Sequence, residues 1–210
     1  MAKSHLFNLI YRNKNNMNYL VFDTETTGLP IDYNASIEDL ENWPIIVEVA
    51  WIIVDNEYNI LEENDYIINT YTELDPVVQK ITGIDNDMIK EGHSIRKVLR
   101  KFNRDLEKTG LVIAHNITFD LRVIGAEFVR NGFDTQVFQE KDYFCSMKKS
   151  TPILKLNSPY SPGQYKWPKL QQVYNYYFGC DFKGAHRAIN DVKATWKVYK
   201  ELIKEYEIES

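Results

Sequence analysis

Five side chains of this 210-residue sequence are of types that together could hydrolyse a phosphodiester: Asp23, Glu25, Asp120, His186 and Asp191. Asp23 and Glu25 stand two positions apart, just after the apolar, β-rich stretch Asn18 to Phe22. In a strand that spacing sends both carboxylates out of the same face, where they can share a cation. Asp120 falls in the first turn of a helical segment that follows His115 and Asn116. An acid there is also what the helix dipole favours, worth roughly 0.3–1 kcal/mol, so alone it implies little. Asp191 sits one residue before the core-type Val192, at the edge of a buried face. His186 lies five residues earlier and would diverge from Asp191 by about 140° were both helical. It therefore belongs on a loop before the final helix, which Gly184 permits.

Each of these residues has an ordinary reading: a solvated strand end, a dipole-satisfying acid, a surface acid, a structural histidine. Brought together they do not. Two unit charges about 4 Å apart repel by about 4 kcal/mol at an effective dielectric of about 20, so four clustered carboxylates demand cations, protons or separation. An all-oxygen donor set selects Mg²⁺, with Mn²⁺ as substitute, over zinc. Two such ions suit an in-line phosphoryl displacement, with the neutral imidazole of His186 available as a base.

The elements that must position these groups are legible in outline. Asn18 to Phe22 reads as a strand entering the turn Thr26-Thr27-Gly28, and Ile45 to Val54 and Tyr58 to Thr70 read as strands joined by a tight turn at Asp55-Asn56. Leu29 to Trp43 reads as a polar surface connection. Val77, Val78 and Ile81 fit a short helix closed by Gly83, and Ile95, Val98, Leu99, Phe102 and Leu106 predict a helix over Ser94 to Lys108. Leu111 to Ala114 is expected to be a buried strand, and Thr118 to Asn131 a helix with Thr118 as N-cap and Gly132 just past its end. Thr151 to Pro168, rich in Pro, Ser, Tyr and Lys, reads as a long loop. Its Tyr160, Tyr165 and Trp167, interleaved with Lys155, Lys166 and Lys169, are either an ordinary surface or a grip for a single strand. Leu170 to Phe178 is a helix ended by Gly179. The stripe Ile189, Val192, Trp196, Tyr199, Ile203 and Tyr206 predicts a final helix docked on the sheet.

Composition bounds the function. A 44% hydrophobic chain with 13% aromatic residues can fill one core, so residues 18–210 are expected to form one domain and 1–17 a flexible amino-terminal extension. No apolar run approaches the length of about 20 residues that a membrane helix needs. Two widely spaced cysteines, Cys145 and Cys180, point to an intracellular, most simply cytoplasmic, location. The net charge of −5 disfavours a high-affinity duplex binder but suits an enzyme that grips a few nucleotides at a strand end.

The segments Asp23-Thr-Glu-Thr-Thr-Gly28, His115-Asn-Ile-Thr-Phe-Asp120 and His186-Arg-Ala-Ile-Asn-Asp191, in this order, resemble the three motifs of the DEDDh 3′-to-5′ exonucleases, proofreading subunits among them. The resemblance extends from Asn18 to Tyr206. It implies an α/β ribonuclease-H-like fold with a mixed five-stranded sheet flanked by helices. It also implies two Mg²⁺ ions on Asp23, Glu25, Asp120 and Asp191, and His186 as general base. Thr26, Leu29, Asn116 and Phe119 would contact the substrate: Leu29 wedged against the terminal bases, Phe119 packed near them, Asn116 positioning the strand. The implied partners are single-stranded DNA or RNA 3′ ends and a polymerase, and the implied products are nucleoside 5′-monophosphates. The long loop from Lys155 to Trp167 departs from the family pattern. A silent nucleic-acid-binding or polymerase-docking module on the same fold is the alternative, disfavoured because all five catalytic positions are filled.

Overall fold

The computed structural model describes residues 18–208, so the expected amino-terminal extension, 1–17, lies outside the described residues. Strand β1 (Asn18–Thr26) runs antiparallel to β2 (Ile46–Val54), and β2 antiparallel to β3 (Ile60–Ile67). On the other side of β1 lie, in parallel, β4 (Thr109–Ala114) and then β5 (Asp142–Cys145), giving the order β3-β2-β1-β4-β5. The helices among the described residues are α1 (Pro76–Thr82), α2 (Asn86–Lys90), α3 (Ile95–Glu107), α4 (Ile117–Arg130), α5 (Ser146–Leu154), α6 (Leu170–Phe178) and α7 (Ala188–Ile208). This is the mixed, helix-flanked sheet of the ribonuclease-H-like fold.

Alternation along β1 divides the core into two layers. Leu20 and Phe22 face one side with Val49, Trp51, Val112 and Ala114, and are covered by Val98, Leu99 and Phe102 of α3 and Val123 and Ile124 of α4. Tyr19 and Val21 face the other with Ala50, Ile52, Leu111 and Ile113, covered by Val173 of α6 and by Val192, Trp196, Tyr199 and Ile203 of α7. The expected stripe on the last helix is thus the face that docks. Because helices cover both faces, every residue of β2 is buried, which is why it reads as a continuous apolar run rather than an alternating one.

Several boundaries differ from expectation. The strand expected over Tyr58 to Thr70 contracts to Ile60–Ile67. The carboxylate of Asp55 accepts from the backbone N–H of Glu57 at 2.9 Å and of Asn59 at 2.8 Å, and Tyr58 takes a φ of 69°, so these residues are committed to the turn. Thr118 is not the N-cap of α4. Asn116 occupies that place with a φ of 68°, reversing the chain in one left-handed residue just after His115 and so moving the N-cap two residues earlier. The expected loop from Thr151 loses its first four residues to α5, whose Pro152 reads as a breaker. In the structure Pro152 falls in the last turn, where Ser150 and Thr151 hydroxyls bond back to the Ser146 and Met147 carbonyls, each at 2.8 Å. Strand β5 is only four residues long and shows no periodicity by which it could be read.

The connection Leu29 to Trp43 holds no regular helix or strand, as expected, yet it is packed down rather than free. Trp43 is buried and its indole N–H donates to the Ser36 carbonyl at 2.8 Å. Ile37 lies on Gly125 of α4, where a β-carbon would stand 3.4 Å from it. Arg130, paired with the buried Glu127 at 2.7 Å, donates to the Leu40 carbonyl at 2.6 Å.

Candidate active site

All five candidate residues lie at the carboxyl ends of the parallel strands, where open α/β sheets collect ligands. Asp23 and Glu25 close β1 on the α7 face, opposite Ala50 and Glu48 of β2. Between them Thr24 points to the opposite layer and grips Asp120. Its N–H and its hydroxyl donate to the same carboxylate oxygen at 3.1 and 2.8 Å. A residue not singled out in the sequence therefore ties the first turn of α4 to the strand that carries the other two acids.

Asp191 lies in the first turn of α7 and accepts the backbone N–H of His186 at 3.0 Å. His186 is outside the helix, exposed, with a φ of 66°. Gly184 before it has a φ of 71° and a carbonyl that accepts from Asn190 Nδ2 at 2.9 Å. These two left-handed residues, one on each side of Ala185, fold the histidine back over the helix it precedes. As a result Glu25, His186 and Asp191 each offer one ligand atom within 4.8 Å of the others, a set that can hold a metal ion. The imidazole, expected to stand outside the metal shell, is within reach of it.

The electrostatics follow from crowding. Burial, then Asp120, Asp191, Glu25 and Glu48, push the Asp23 carboxyl well above the usual carboxylate range. Glu25 is pushed up to about 8 by burial and then by Asp191, Glu48 and Asp120, with Arg187 opposing. Burial lifts Asp120 to about 7 even against the two Thr24 hydrogen bonds, and lifts Asp191 to about 7 even against the His186 N–H. Four acids whose proton affinities are all raised are four acids whose ionised forms lack enough positive charge around them. A bound metal cation would supply it, and Glu25, His186 and Asp191 are placed to hold one.

Glu48 is not among the candidates that the motifs single out, yet it supports them. It is fully buried on β2, and its carboxylate accepts Arg187 Nε and Nη2 at 2.9 and 2.7 Å on one oxygen and the Ala188 N–H at 2.8 Å on the other. It therefore clamps the residues between His186 and Asp191 to the sheet beside Glu25. The signal was present in the sequence, since Glu48 is the sole charge in the apolar run Ile45 to Val54. On the neighbouring strand β3, Asp65 is pushed up to about 6 by burial and by Glu48, with Arg187 opposing.

His115, the first residue of its motif, has a supporting place. Its Nε2 lies 3.0 Å from the Pro168 carbonyl and its Nδ1 2.9 Å from the Ser146 hydroxyl. A carbonyl only accepts, so Nε2 carries the hydrogen and Nδ1 accepts from the serine. Burial lowers its pKa to about 4, which keeps it neutral in this role. Of the expected substrate contacts, Thr26 donates its hydroxyl to the Gly28 carbonyl at 2.6 Å, shaping the turn beyond β1. Leu29, 74% exposed, projects from that turn. Asn116 and Phe119 line a groove of about 390 Å³, and Asp120 directly follows Phe119 on the same helix.

A family model described as Exonuclease (RNase_T) matches residues 20–199. The chain is 27% identical over 194 residues, 92% of its length, to a DNA polymerase III PolC-type of Staphylococcus epidermidis, and 32% identical over 114 residues, 54% of its length, to that of Lactococcus lactis. It spans 12% and 6% of those proteins. Among solved structures it matches E. coli Exonuclease I in complex with a dT13 oligonucleotide, at a TM-score of 0.69 and 20% identity, over 92% of this chain and 42% of that one. The zinc-bound form of an E. coli ExoI–ssDNA complex matches at a TM-score of 0.67 and 20% identity, over 90% and 40%.

Proposed function

The chain belongs to the RNase_T exonuclease family, and on that premise we propose that it is a divalent-metal-dependent 3′-to-5′ exonuclease that removes nucleoside 5′-monophosphates from single-stranded DNA or RNA. The observation that carries the reading is the convergence of Asp23, Glu25, Asp120 and Asp191, from β1, α4 and α7, with every one of their affinities for protons raised. A protein that only bound nucleic acid would gain nothing from four mutually repelling carboxylates, so the silent-module reading is the weaker one.

In this reading Asp23, Glu25, Asp120 and Asp191 would hold two Mg²⁺ ions, which would supply positive charge to the reacting phosphodiester. The chain's own contribution is positional. Thr24 fixes Asp120, Glu48 fixes the Arg187-Ala188 turn, and the left-handed His186 would offer its imidazole to take a proton from the attacking water. Leu29 and Phe119 would separate the terminal base from its neighbour, which favours an unpaired end. The PolC-type relatives support a proofreading or polymerase-associated role with a polymerase as partner. The likeness to Exonuclease I bound to oligonucleotide supports a single-stranded substrate. Residues 18–210 would act as the exonuclease domain and 1–17 as an extension outside it.

The test is digestion of 5′-labelled DNA and RNA oligomers, with a free or a blocked 3′ end, in Mg²⁺ or in chelator. A ladder shortening from the free 3′ end, with mononucleotide products and no cleavage in chelator, is expected. Efficient cutting of 3′-blocked or circular strands would refute the polarity, and hydrolysis in chelator would refute the metal requirement.

A further inference from the structure

Resting on the exonuclease reading, we propose that the groove between Trp167 and Tyr33 is a binding site for the unpaired nucleotides upstream of the scissile linkage, held by base stacking and by Arg122 and Lys148 on their phosphates. The groove encloses about 390 Å³, within the range of small-ligand sites, and it begins at the catalytic turn itself, since Asn116 and Phe119 line it and Asp120 follows. A strand leaving the carboxylates along α4 runs into it.

Its walls are unusual for an inert surface. Trp167 is 65% exposed and Tyr33 50% exposed, two large π-faces left in water at one cavity. Both are held by the fold. The Pro168 carbonyl next to Trp167 is pinned by the half-buried His115, and the Tyr33 carbonyl accepts from Arg122. The loop behind Trp167 is also braced, with Lys166 N–H donating to the Leu156 carbonyl at 2.8 Å and Ser158 N–H to the Gln164 carbonyl at 2.9 Å. The three aromatic residues interleaved with lysines in this loop thus separate into roles: Trp167 lines the groove, whereas Tyr160 and Tyr165 do not.

Charge selects the occupant. The chain carries −5 overall, yet the two cations of the groove, Arg122 and Lys148, have no carboxylate partner among the described residues. Arg122 stacks over Trp43 at 5.7 Å and Lys148 reaches the Thr118 hydroxyl at 3.3 Å. Exposed aromatic faces with unpaired cations between them match a polyanion with free bases, which is a single strand. A duplex, whose bases already stack on each other, cannot use the aromatic walls.

The experiment measures anisotropy of a 5′-fluorescein oligothymidylate of about eight nucleotides, in Mg²⁺, on an Asp191→Asn background that prevents turnover. Trp167→Ala is expected to weaken binding about tenfold and Trp167→Phe to restore most of it, which also controls for folding. Abasic residues just upstream of the 3′-terminal nucleotide should weaken binding to the tryptophan-bearing chain but add little to Trp167→Ala. Lys148→Ala should reduce the salt slope by about one. Unchanged affinity in Trp167→Ala, or fully additive effects of the abasic and Trp167 changes, would overturn the proposal. Tighter, Trp167-dependent binding of a blunt duplex would overturn the single-strand assignment. Failure of the wild-type chain to digest any oligomer would remove the exonuclease reading, while the binding cycle still decides the groove.

Discussion

Replacing Asp120 by Asn is expected to stabilise the metal-free protein at alkaline pH while destroying its activity. Asp120 is 3% exposed, and its Oδ1 accepts both Thr24 hydrogen bonds, which the amide oxygen of Asn can also accept. The substitution therefore removes charge with little change of shape. Burial raises the Asp120 pKa from 3.8 to about 7. Below pH about 4 the carboxyl is protonated in folded and unfolded chains alike and costs nothing. As pH rises toward about 7 the unfolded chain releases a proton that the folded chain retains, so folding stability falls, and above that it stays lowered. Three units at about 1.4 kcal/mol each give about 4 kcal/mol. Relaxation of the site and shared protons with Asp191 and Asp23 bring the expected gain for Asp120→Asn to about 2–3 kcal/mol, or about 5–10 °C in Tm for a chain of this size. The assay is thermal or urea unfolding of both proteins in chelator from pH about 4 to about 8, repeated in Mg²⁺. The curves should coincide at the acid end and separate as pH rises. Mg²⁺ should stabilise the wild type more than the variant, since ions bound by the folded state alone add stability. Equal stability at pH about 8 in chelator would refute the crowding on which the metal site is argued.

Glu48→Ala should cost about 2–3 kcal/mol by urea unfolding, less than a fully buried pair because Arg187 is partly exposed, and should lower turnover by freeing the His186-Arg187-Ala188 turn. Glu48→Gln, which can still accept from Ala188, should recover much of both losses, and equal behaviour of the two variants would remove the clamp. His186→Ala should slow hydrolysis by roughly 10²- to 10⁴-fold. If the imidazole acts as base, Mn²⁺ affinity measured by calorimetry survives the change. If affinity drops as it does in Asp191→Ala, the histidine is a ligand, as its place beside Glu25 and Asp191 allows.

The chemistry was legible in the chain because it rests on local rules. Asp23 and Glu25 share a face through the two-residue strand period, and His186 must leave the helix because five residues do not bring it back over Asp191. The docking face of α7 and the run of β2 were equally local, being set by periodicity and burial. What only the tertiary structure decided are relations between segments far apart in sequence. Thr24 meets Asp120 across 96 residues, Glu48 meets Ala188 across 140, and His115 meets Pro168 across 53. No period or propensity encodes such pairings. They arise because α4 and α7 pack on opposite faces of one sheet and bring their first turns to the same strand ends. Strand β5 belongs to the same class: four residues too few to show a pattern become a strand because β4 offers an unpaired edge beside them. The groove is likewise a tertiary product. Trp167 reads in sequence as one aromatic residue of a proline-rich loop, and only the fold sets it in one groove with Phe119, Arg122 and Lys148, on the helix turn that carries Asp120.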